Sequence, residues 1–136
     1  MSGVHVRVRV GNEQYALPVE HVHRVVELGE PTPVPGAAEG VLGLRNLDGE
    51  ILPAFDLARV LQIERDGRAG RLVVAEHGGR RAAFAVDEVI DVGELAEPMQ
   101  ESESPYLQAS TVIDDALVGV LAVGAMLDTL AREEER

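Results

Sequence analysis

Val4 to Val10 reads V-H-V-R-V-R-V, a strict alternation over seven residues. A period of two places the Val side chains on one face and His5, Arg7 and Arg9 on the other, which predicts a half-buried β-strand. Gly11-Asn12 is a turn signal, and a short strand over Tyr15 to Leu17 would return as a hairpin, with Gly11 to Gln14 between the two. From Val19 the period changes. Val19, Val22, Val25 and Val26 fall at i, i+3, i+6 and i+7, the spacing of one face of a short helix that Gly29 would end.

The same order returns 67 residues later. Leu72 to Ala75 predicts a strand, Gly78-Gly79 a turn and Ala82 to Val86 a second strand. A short helical stretch follows, with Val86, Val89 and Ile90 on one side. At this offset Gly11 aligns with Gly78, Leu17 with Phe84, Val22 with Val89 and Pro31 with Pro98. Further on the offset is 66, aligning Leu47 with Ile113, Ile51 with Leu117 and Leu57 with Val123. A Val- and Leu-rich chain can match itself by chance, but the paired Gly and Pro positions and the shared order of elements favour a pseudo-repeat. One residue lost in the second loop accounts for the shorter offset. The chain therefore reads as a single domain of two lobes, roughly 1–66 and 67–136, interleaved in space. Short strands with a turn between each predict curled sheets or small barrels. The Pro-rich connector from Gly29 to Gly40 fits neither a helix interior nor a central strand. The acidic stretch from Glu94 to Pro105 reads as a solvated loop. From Ala125 a short closing helix carries Met126, Leu127 and Leu130 on one side and frays into solvent.

Composition narrows this picture. With 136 residues, 46% of them hydrophobic, the chain can bury one core. Aromatics are only 3% and Trp is absent, so that core is aliphatic. No apolar run reaches the roughly 18–20 residues of a membrane span. The alternating N-terminus is unlike a signal peptide, so the expected location is the cytoplasm. Cys is absent, which removes disulfides, thiolate nucleophiles and Cys-type zinc sites. The formal net charge is −12 and every basic residue is Arg. So acidic a surface repels phosphate backbones and anionic lipid, which argues against nucleic acid as a partner and against direct membrane insertion.

Candidate chemistry is sparse. On a helix, His21 and His23 would face different ways and would not form the i, i+4 pair that holds zinc. His5 and His77 fall at strand and turn positions where exposure is expected. Ser102, Ser104 and Ser110 lack a Gly-x-Ser-x-Gly context. Gly40, Gly43 and Gly49 lack the spacing and the Lys of a phosphate-binding loop. The expectation is a protein without catalytic, metal-ligating or cofactor-binding residues.

Gly43 to Leu57 reads G-L-R-N-L-D-G-E-I-L-P-A-F-D-L. This resembles the signature of the CheW-like domain family, G-V-I-N-L-R-G-x-I-x-P-V-I-D-L, matching at Gly43, Asn46, Leu47, Gly49, Ile51, Pro53, Asp56 and Leu57. The similarity extends to "GNEQYALPVEHVHRVVEL", "VPG" and "AFAVDEVIDVGEL", nearly the whole chain. The resemblance implies a mainly β fold of two five-stranded SH3-like barrels on a shared hydrophobic core, with short helices and a C-terminal helix. It implies a non-enzymatic adaptor of chemotaxis signal transduction, working in a two-component system. Its partners would be the cytoplasmic tip of a chemoreceptor and the regulatory domain of a CheA-type histidine kinase. The implied protein-binding residues are Val22, Arg24, Val25 and Val26 on the first helix, and Asn46, Leu47, Asp48 and Gly49 at the turn. Val86 and Val89 would line a groove between the halves.

Two positions depart from the family pattern. The Arg of N-L-R-G is Asp48 here, and the Glu of a V-x-E pattern counted from Val22 is Arg24. Both signs are reversed, so an ion pair with swapped ends is expected. Reversed charges would select a complementary partner. They also leave open a second reading, a divergent regulatory or ligand-binding module that does not join a receptor array.

Overall fold

The computed structural model describes residues 3–65, 69–95, 100–102 and 104–134, with side chains to residue 132. The chain folds into two curled, open sheets. Sheet A is six-stranded: β1 (Val4–Val10), β2 (Glu13–Pro18), β8 (Glu88–Glu94), β9 (Gln100–Glu101), β10 (Leu107–Ile113) and β11 (Ala116–Leu121), in the order β8-β1-β2-β11-β10-β9. Sheet B is five-stranded: β3 (Val22–Glu27), β4 (Val41–Leu47), β5 (Glu50–Asp56), β6 (Arg71–His77) and β7 (Arg80–Val86), in the order β3-β6-β7-β5-β4. Helices α1 (Leu57–Val60) and α2 (Val123–Glu134) follow β5 and β11. The mainly β expectation holds, with one sheet larger than expected because the two-residue β9 adds to it. Neither sheet closes into a complete barrel through its strands.

Each sheet mixes strands from both halves of the chain. β1 pairs antiparallel with β8, and β3 pairs antiparallel with β6. Parallel pairings of β11 with β2 and of β5 with β7 complete the exchange. Neither hairpin pair can therefore fold away from the rest.

Both expected helices are strands. Val22–Glu27 pairs with β6, and only Val19–His21 forms a single 3-10 turn. The stretch around Val89 and Ile90 lies in β8 and pairs with β1. Each strand carries a register shift, between Val22 and Arg24 on β3 and opposite Arg7 and Val8 on β8. A bulge adds one residue and breaks the period of two, so apolar positions fall at spacings that imitate a helix. The β-branched Val side chains suit the strand that forms. α1 was not expected from the sequence; Asp56 caps it by accepting a hydrogen bond from the Ala58 N–H at 3.1 Å. α2 begins at Val123, and Met126, Leu127 and Leu130 are buried as expected.

The largest core lies between the sheets. Val6, Val8, Val10 and Leu17 from sheet A meet Val73, Phe84 and Val86 from sheet B, and α2 covers one side. Phe55 and Phe84 stack with ring centroids 5.7 Å apart. Two smaller clusters fill the individual sheets: Leu47, Leu52, Leu72 and Val74 in sheet B, and Ala16, Leu95, Val118 and Val120 in sheet A. β1 buries its Val face in this core as the alternation predicts, while Arg7 and Arg9 on the other face stay partly exposed. His5 is buried rather than exposed, its Nδ1 2.6 Å from the Gly3 carbonyl.

The connector from Gly29 to Gly40 forms no strand or helix beyond an isolated bridge between Thr32 and Leu44. In the acidic stretch, Leu95 is buried and Gln100–Glu101 pairs with β10, while residues 96–99 and 103 lie outside the described residues. No helix among the described residues is long and apolar enough to cross a membrane.

Candidate protein-binding site

The β4–β5 turn is built by backbone conformation. Asp48 and Gly49 have φ of 54° and 95°, the left-handed pair required by a two-residue hairpin turn. The Asn46 side chain accepts the Gly49 N–H at 2.8 Å, fixing the loop. This holds Asp48 over the edge of β3, where its Oδ2 lies 2.9 Å from Arg24 Nη1. The expected ion pair therefore forms, with the Asp48 side chain 86% and the Arg24 side chain 34% exposed. At such exposure the pair adds only about 0–1 kcal/mol to stability.

A second arginine crosses the same seam. Arg45 on β4 donates through Nε to the Leu28 carbonyl at 3.0 Å, and Leu28 N–H in turn bonds to Gly70 beside β6. β3 and β4 share no strand pairing; Arg24 and Arg45 join the two edges of sheet B, and the Thr32–Leu44 bridge holds the connector against β4.

The residues expected to bind protein separate into two groups. Arg24 and Asp48 meet through their ion pair and Asn46 and Gly49 belong to the same turn, while Val25, the next residue along β3, is 40% exposed. Val22 and Val26 are half-buried and pack on the cores below. Leu47 is buried inside sheet B. Val86 is fully buried between the sheets, and Val89 packs against that same core on β8. The groove imagined between the halves is filled by their shared core, so Val86 cannot touch a partner. Ile51, not among the expected contacts, is 63% exposed and stands opposite Asn46 across the hairpin. Alternation was the available signal: with Leu52 and Ala54 turned inward, Ile51 must face out.

Asp56, one of the motif positions, is structural. It caps α1 and accepts a 2.9 Å ion pair from Arg65, whose other nitrogen lies 3.5 Å from Asp87. Arg9 of β1 reaches Asp87 from the far side at 3.6 Å. This mostly buried chain of charges ties sheet A to sheet B.

Arg81 donates to Glu50 at 2.8 Å and also to Glu76. The hydrogen bond from Arg81 holds the Glu76 carboxyl below the usual carboxylate range. Burial, followed by its hydrogen bond to Glu13, pushes the Tyr15 phenol well above its ordinary value. His21 and His77 approach with ring centroids 5.2 Å apart. The described residues contain no cluster of three or more His, Asp or Glu able to hold a metal ion.

The charge balance follows from these pairings. Arg7, Arg9, Arg24, Arg59, Arg65, Arg71, Arg80 and Arg81 all reach carboxylates within the chain. Arg45 and Arg132 donate to backbone carbonyls. The described carboxylates outside these pairs are exposed.

A model of the CheW-like domain family matches residues 5–131. The chain is 32% identical over 89 residues to the chemotaxis protein CheW of Thermotoga maritima, covering 65% of this chain and 59% of that protein, less than two thirds of its length. It is 28% identical over 128 residues to the chemotaxis protein CheW of Helicobacter pylori, covering 93% and 76%. It is 30% identical over 118 residues to protein FrzA of Myxococcus xanthus, covering 85% and 72%. Among solved structures, the scaffolding protein TtCheW from Thermoanaerobacter tengcongensis superimposes with a TM-score of 0.81 at 25% identity, covering 89% of both chains.

Proposed function

The chain belongs to the CheW-like domain family, and from that premise we propose that it is a cytoplasmic, non-enzymatic adaptor. It couples the cytoplasmic tip of a chemoreceptor to the regulatory domain of a CheA-type histidine kinase. The observation that carries this reading is that the family match spans strands of both sheets, from residue 5 to residue 131. Its contact site is the exposed end of sheet B: Arg24, Val25, Asn46, Asp48 and Gly49, with Ile51 beside them.

The charge order at that site sets partner choice. Arg24 and Asp48 already neutralise each other, so a partner meets a fixed dipole rather than two free charges. A partner shaped for the opposite order would face like charges at both ends. Binding assays with the cognate kinase regulatory domain and a receptor-tip peptide test the proposal. The expected result is binding to both, weakened by substitutions at Val25 and Ile51. Binding to neither overturns the coupling role and leaves the divergent module outside a receptor array.

A further inference from the structure

The outer face of the β10–β11 hairpin holds an apolar pair that stands exposed among the described residues. Val112 and Leu117 stand directly opposite each other and are 63% and 67% exposed. Leu117 prolongs a face that is covered further along β11, where Leu121 joins the core between the sheets. In sheet B the corresponding cross-strand pair is Asn46 and Ile51, so the hairpin in sheet A replaces a polar side chain with Val.

The rim is acidic: two turn carboxylates stand at one end, and Glu13, which accepts the Tyr15 O–H, at the flank. The turn residues are Asp114 and Asp115, which make no ion pair among the described residues, unlike Asp48 at the matching turn. On the other flank, the parallel register that sets Val118 beside Gln14 brings Glu13 next to Leu117. A second copy of this chain, with the same net charge of −12 and its described arginines committed within the chain, would bring acid against acid.

We propose that Val112 and Leu117, rimmed by Glu13, Asp114 and Asp115, form a second docking face that takes a protein segment with aliphatic residues flanked by Arg or Lys. The aliphatic side chains would cover the exposed pair, and the cationic heads would reach the rim carboxylates. This face lies on sheet A, apart from the contact site on sheet B, so it goes beyond the adaptor reading and survives that reading's failure.

The test is a titration of the isotopically labelled full chain with a synthetic peptide alternating Leu and Arg, followed by NMR. Peptides alternating Leu with Glu, or Ser with Arg, serve as controls. The expected result is shift changes concentrated at residues 112–117 with the Leu/Arg peptide alone. Affinity should fall steeply as the screening length shrinks from about 30 Å to about 3 Å with added salt. Leu117→Ser should weaken it by about tenfold, the equivalent of removing one covered aliphatic side chain. Asp114→Asn with Asp115→Asn removes the turn's two charges while keeping residues that tolerate left-handed backbone, and should flatten the salt dependence. Shift changes elsewhere, equal binding of the Leu/Glu peptide, or affinity unchanged in both variants would overturn the proposal. So would a wild-type dimer in sedimentation that Leu117→Ser converts to monomer, because the occupant would then be a second copy.

Discussion

The β4–β5 and β10–β11 hairpins occupy matching places, 66 residues apart, yet finish their sheets by different means. In sheet B the turn is Asp48-Gly49, and Asp48 is tied to Arg24 across the seam. In sheet A the turn is Asp114-Asp115, with φ of 50° and 66°. The residue matching Arg24 there is Asp91, which pairs with Arg7 inside the sheet. Two acids cannot bridge a seam, and a short extra strand, β9, runs along β10 instead. Both hairpins carry a register shift at the same place, between Val41 and Gly43 and between Leu107 and Ala109. In sheet B the connector presses against that bulge, so that a Cβ on Gly43 would come 2.2 Å from the Thr32 carbonyl oxygen. In sheet A the same position accommodates Ala109. One backbone plan therefore yields a seam stitched by arginine side chains and another extended by a strand.

The largest expected effect comes from loosening the two sheets from each other. Arg65→Met would leave Asp56 and Asp87 without their shared partner, at a cost of about 3 kcal/mol in denaturant unfolding. Hydrogen exchange should rise in both sheets together, since β1 and β5 lose the same tie. Gly43→Ala should cost about 2–3 kcal/mol, because the connector or β4 must shift, while Ala109→Gly should cost less than about 1 kcal/mol. If the two substitutions proved equal, the connector would not distinguish the seams.

The turns offer a finer comparison. Gly49, at φ 95°, lies beyond the left-handed well that other residues reach, whereas Asp115 sits within it. Gly49→Asp should therefore destabilise by about 1–2 kcal/mol, and Asp115→Gly should stay within about 0.5 kcal/mol of the parent. The smallest effect is at the ion pair. In a double-mutant cycle, Arg24→Glu and Asp48→Arg should each weaken stability or partner binding more than the double change does, with a coupling below about 1 kcal/mol. Additive behaviour would make the two sites independent.

Much of this organisation is legible in the chain. The alternation at Val4–Val10, the turn glycines at Gly11 and Gly78, and the apolar side of α2 each translate directly into an element, because local periodicity reflects which face will be buried. The Arg24–Asp48 pair was legible too, through the reversed signs in an otherwise matching motif. The helices expected over Val19–Val26 and near Val89 were not. Their bulges arise only when β6 and β1 pair alongside, so the spacing of the valines carries no local sign of them.

Sequence by itself determined the composition of the core, the repeated order of turns, the acidic excess and the family. Tertiary structure decided which repeated strand pairs with which, and so which faces remain bare. Val86 and Val112 are both valines in alternating strands, but the first lies between the sheets and the second faces water. Strand pairing joins residues far apart in the chain, and the burial of each side chain follows from what its neighbours in the sheet cover.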